Sequence, residues 1–77
     1  MNWQSDVTDP DEVKVFNALD GPGYTWRTIS GIARQTGLPA SRVSEILAKY
    51  NRTLTRLSDV TSLSGQALAG LIEKVGV

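Results

Sequence analysis

The clearest periodic signal lies between Ala40 and Tyr50. Val43, Ile46, Leu47 and Tyr50 share one stripe with a period of 3.6 residues, and Ser41, Glu45 and Ala48 fall opposite it. That spacing predicts an amphipathic helix over 40–50, broken by the "NRT" that follows. A second helix is predicted over Ile29 to Thr36, capped by Thr28, with Ile29, Ile32 and Ala33 turned inward. Gly37 ends it in a left-handed conformation, Leu38 tucks under the turn, and Pro39 opens the next helix. Upstream, "DPDEVKVFNALDGPG" places a capping Asp9 before Pro10, acids in the first turn, and Val13, Phe16 and Leu19 (or Val15 and Leu19) at helical spacing. "DGPG" stops that helix. The aromatic and β-branched "YTWRT" fits one short strand, with Trp26 in the core.

The two ends are less periodic. Residues 1–8 show no repeat and read as a mobile tail, leaving one domain over 9–77. Thr53 to Ser58 alternates in the manner of a strand. From Gln66 onward two readings coexist. Leu68, Leu71, Ile72 and Val75 would make a helix ending at Gly76; equally, "QALAGLIEKV" would be the return strand of a hairpin turning at "SLSG". The period favours the helix, and the strand–turn–strand layout favours the hairpin. The expected core is Phe16, Trp26, Ile32, Leu38, Val43, Ile46 and Leu47.

Composition narrows the chemistry. A chain of 77 residues holds one small domain and must use its 40% hydrophobic residues well. It has no cysteine and no histidine. Disulfides, thiolate metal sites and the commonest general base are thereby excluded. No metal site, cofactor or catalytic constellation is expected, and the acids around Asp9 are read as helix capping. No apolar run approaches the roughly 18 residues that would span a membrane. The acidic start lacks the basic-then-apolar layout of a signal peptide, so a cytoplasmic location is expected.

Net charge is zero, but its distribution is uneven. Residues 1–24 carry Asp6, Asp9, Asp11, Glu12 and Asp20 against Lys14, a balance of −4. Residues 25–56 carry Arg27, Arg34, Arg42, Lys49, Arg52 and Arg56 against Glu45, a balance of +5. A basic segment of this kind points to a polyanion.

That segment also has the layout of a helix-turn-helix unit. With Gly37 as the turn glycine, Ile32 and Ala33 fall where the helices approach, Leu38 in the turn, and Val43 and Ile46 where the second helix packs on the first; Thr36 alone departs. From Val13 to Lys74 the stretch "WRTISGIARQTGLPASRVSEIL", then "LTRLSDV", then "GQALAGL", resembles bacterial winged-helix modules. The resemblance covers about four fifths of the chain. It implies a mainly α fold with a small β-sheet: three helices and a β-hairpin wing. Such modules occur in transcriptional regulators and as appendages of larger bacterial proteins.

On that scaffold the expected partner is double-stranded DNA, with 40–50 as the recognition helix. Arg27, Thr28, Arg34 and Arg52 would meet phosphates. Ser41, Ser44, Glu45 and Ala48 would reach base edges, flanked by Arg42 and Lys49. The wing tip, Ser62, Leu63, Ser64 and Gly65, would lie near the minor groove or backbone. The outward face is neutral to acidic and the wing tip carries no Lys or Arg. Those features suit the alternative, a structural module or one that binds another protein domain, without DNA; a homodimer is compatible with either reading.

Overall fold

Asp9 starts the first long helix as its chemistry dictates. Its carboxylate accepts from the backbone N–H of Asp11 (3.0 Å) and Glu12 (3.3 Å), and Pro10 follows at the first helical position. A computed structural model describes residues 3–21, 26–61 and 67–75. In chain order the elements are α1 (Trp3–Asp6), α2 (Pro10–Leu19), β1 (Arg27–Thr28), α3 (Ile29–Thr36), α4 (Ala40–Lys49), β2 (Thr55–Thr61), β3 (Ala67–Leu71) and α5 (Ile72–Val75). The fold is mainly helical with a small three-stranded antiparallel sheet of order β1-β3-β2.

α3 and α4 occupy the predicted places. Thr28 Oγ1 accepts from Gly31 N (3.1 Å), and Gly37 closes α3 at φ +77°, a region where an L side chain is strained. The buried stripe of α4 is Val43, Ile46 and Leu47, and Ile32 meets it from α3. α2 contributes Val15, Phe16, Ala18 and Leu19. Phe16 sits between Trp3 (ring centroids 5.3 Å) and Tyr50 (5.2 Å, edge-on), an arrangement aromatic quadrupoles favour.

The tail reconciles both sequence readings. β3 is the central strand, pairing Arg27 with Ala69 and Thr28 with Leu68 on one side, and Thr55 with Leu71, Arg56 with Gly70 and Leu57 with Ala69 on the other. Backbone ladders on both edges outweigh the helical period up to Leu71; one helical turn, Ile72–Val75, then follows. The register shifts between Leu57 and Thr61. Thr55, fully buried, donates from Oγ1 to the carbonyl of Leu47 (3.1 Å), tying the sheet to the end of α4.

Three expectations are corrected. Residues 1–8 are not a mobile tail throughout: Trp3 and Val7 are core residues, 4% and 2% exposed. The Trp3 indole donates to Asp20 Oδ2 (3.2 Å) at the far end of α2. A single four-residue turn is too short to show a period, so no pattern announced it. Trp26 is half-buried and stands outside the core that Trp3 joins. Leu38 is half-buried against the core rather than within it.

Candidate functional site

The face of α4 that the core does not claim is formed by Ser41, Ser44, Glu45 and Ala48, all exposed. α4 begins at Pro39 with no side-chain cap; the Pro39 carbonyl instead accepts from Arg42 N (3.0 Å) and Val43 N (3.1 Å). Small uncharged side chains around one acid therefore make the centre of this face.

The two cations that flank it are committed within the molecule. Arg42 Nη1 reaches Glu45 Oε1 at 3.1 Å, its Nε reaches Asp11 Oδ2 at 3.4 Å, and its Nη2 lies 3.7 Å from Asp9 Oδ1. Glu45 raises the guanidinium's pKa despite the opposing effect of burial, and Asp11 adds to the rise. Lys49 Nζ donates to Glu12 Oε2 at 2.7 Å, and the Tyr50 hydroxyl donates to Glu12 Oε1 at 2.6 Å. Glu12 is only 4% exposed, whereas the Lys49 side chain is 60% exposed. The acidic start of α2 and the basic α4, separate in the chain, thus lie against each other.

Burial alone would raise the Glu12 pKa, but hydrogen bonds from Lys49 and Tyr50 hold it below the ordinary glutamate range. Its carboxylate in turn raises Lys49, against burial, and raises Tyr50 together with burial. Exposed pairs such as those of Arg42 add little to stability in water. Their consequence is electrostatic: both flanking cations lie 3.7 Å or less from carboxylate oxygens of the same molecule.

The other expected contacts divide. Arg27 Nη1 donates to the Ala18 carbonyl (3.3 Å) and to Gln35 Oε1, so it ties β1 to the ends of α2 and α3. Thr28 is the cap of α3. Arg34, in the last turn of α3, and Arg52, after α4, are exposed and form no ion pair with a described residue. Arg52 also holds φ +71°, an uncommon conformation for a side chain other than glycine, asparagine or aspartate. Ser62, Leu63, Ser64 and Gly65 lie outside the described residues.

The pairing of Glu12 with Lys49 and Tyr50 is not among the contacts expected from the sequence. A signal was present: Glu12 shares the helical face of Val15, Phe16 and Leu19, three, four and seven residues on, and a carboxylate on an apolar stripe needs a partner. Among the described residues no group of three or more His, Cys, Asp or Glu could hold a metal ion. No helix among them is long and apolar enough to cross a membrane. Compared with models of protein families, with curated proteins and with solved structures, the chain matches none.

Proposed function

We propose that the chain is a winged-helix module of a cytoplasmic bacterial protein, and that it recognises a protein partner through α4 rather than reading DNA with it. The winged-helix reading is supported by the order α2, β1, α3, α4, β2, β3, by the Gly37 turn, and by a hairpin whose second strand lies between β1 and β2. The observation that carries the functional reading is the engagement of Arg42 by Asp9, Asp11 and Glu45 and of Lys49 by Glu12. To meet phosphates, α4 would have to exchange these pairs while holding Asp9 and Asp11 beside the DNA backbone, where like charges repel. Ser41, Ser44 and Ala48 around Glu45 form an exposed surface of small side chains with a single charge.

A second reading, duplex DNA, is favoured by Arg34 and Arg52, both exposed and without an ion pair to a described residue. A salt series with a generic duplex separates the two. Protein recognition through α4 predicts no salt-dependent binding by the folded chain at low ionic strength. Binding whose log K falls with log salt by about 0.9 per phosphate contact would overturn it in favour of DNA.

A further inference from the structure

Away from the exposed face of α4, a cleft of about 210 Å³ opens between α1, the link from α4 to β2 and the junction of β3 with α5, lined by Trp3, Thr53, Leu54, Leu71, Ile72 and Glu73. None of the exposed residues of the α4 face lines it. Trp3 and Leu71 belong to the buried core, so these walls are set by packing that exists without a ligand. The backbone N–H of Ile72 donates to the Leu54 carbonyl at 2.9 Å and holds two further lining residues together. A preformed apolar recess loses little conformational entropy on filling.

Its size limits the occupant. The volume is below the roughly 300 Å³ at which pockets for drug-sized ligands and cofactors begin. It exceeds the roughly 150 Å³ apolar cavity that accepts a benzene ring. One aromatic or branched side chain fits that interval.

Its charge limits the occupant further. Glu73 is exposed and forms no ion pair with a described residue. The neighbouring cation, Lys74, is drawn away: its Nζ lies 3.5 Å from Asp20 Oδ1 and donates to the Gly21 carbonyl at 3.0 Å. The carboxylate at the cleft is left uncompensated by the cation next to it in the chain.

We infer that this cleft is a docking site for a segment of another protein, in which a bulky apolar side chain fills the recess and a flanking Lys or Arg meets Glu73. The inference is independent of the α4 reading, since neither the cleft nor its charge involves that helix's exposed face.

Methyl-resolved NMR of the intact chain tests it with a blocked Lys-Phe-Lys tripeptide, its Glu-Phe-Glu counterpart, and phenethylamine. The basic peptide should shift the Leu54, Leu71 and Ile72 methyls saturably and bind more tightly than the acidic one, by up to about fivefold, the scale of one exposed charge pair. Glu73→Lys, a surface change, should reverse that order. Absence of saturable shifts at these methyls, equal affinity of the two peptides, or an order unchanged in Glu73→Lys would overturn the proposal. Phenethylamine binding as tightly as the basic peptide would also overturn it, because the recess would then serve a small amine rather than a protein segment.

Discussion

Tyr50→Phe isolates the contact that holds α4 to α2. The substitution removes the hydroxyl that donates to Glu12 Oε1 at 2.6 Å and keeps the ring that stands edge-on to Phe16 at 5.2 Å. A hydrogen bond to a charged group is worth about 1.5–3 kcal/mol, and the acceptor here is a buried carboxylate left with Lys49 as its remaining side-chain donor. For a domain of this size each kcal/mol moves the melting temperature by roughly 4–8 °C, so a fall of about 6–24 °C is expected. A thermal melt at neutral pH measures the shift, and chemical denaturation the free-energy loss. The pH dependence supplies an internal control. Glu12 has a depressed pKa in the folded chain, so its contribution is fully present above the unfolded value and is lost as pH falls through the folded one. The difference between wild type and variant should therefore shrink once the pH is low enough to protonate Glu12. A loss below about 0.5 kcal/mol at neutral pH, the range of ordinary surface substitutions, would refute the reasoning. So would a loss that is the same at acidic and neutral pH.

Trp3→Ala should cost about 3–5 kcal/mol in denaturant unfolding, as for a buried aromatic truncated in a core; a loss below about 1 kcal/mol would mean the first residues are the tail their sequence suggested. Gly31→Ala should not deliver the gain of about 1 kcal/mol usual for this change in a helix. A Cβ there would lie 3.0 Å from Thr28 Oγ1 and 3.2 Å from Arg27 Nη2, crowding the cap of α3, and a full gain would show that both side chains move aside freely. At Gly37 a Cβ meets nothing within 4 Å, so the cost of Gly37→Val comes from φ +77° alone, about 1–3 kcal/mol. Gly37→Asn should cost less, and equal losses in thermal melts would point to a steric cause instead.

Helices with long apolar stripes were legible from the chain alone. α3 and α4 lie where Thr28, Gly37 and the stripe of Val43, Ile46 and Leu47 place them, because capping, left-handed backbone and period are local properties. β3 was ambiguous because its residues satisfy a helical period, and only the ladders on its two sides decide between strand and helix. The Trp3 turn was invisible for a related reason: its stability comes from Phe16 and Asp20, 13 and 17 residues away, and not from its own four residues. The candidate site was half legible. Ser41, Ser44, Glu45 and Ala48 are exposed as the stripe implies. The partners of Arg42 and Lys49 were not readable, because Asp11 and Glu12 lie 31 and 37 residues upstream and helical periodicity carries no information about such pairings. The same separation hides from the sequence that two cations of the basic segment, Arg42 and Lys49, pair with acids of α2.

An ionised Glu12 held by Lys49 and Tyr50 is what commits α4 to the acidic start of α2. NMR titration of the Glu12 side-chain carboxyl carbon in the folded chain measures this directly. The ion-paired arrangement predicts a midpoint below the ordinary glutamate range, since the two donors outweigh burial. A midpoint at or above that range would contradict it: burial would then be acting without the donors, and Lys49 would be free to meet a phosphate.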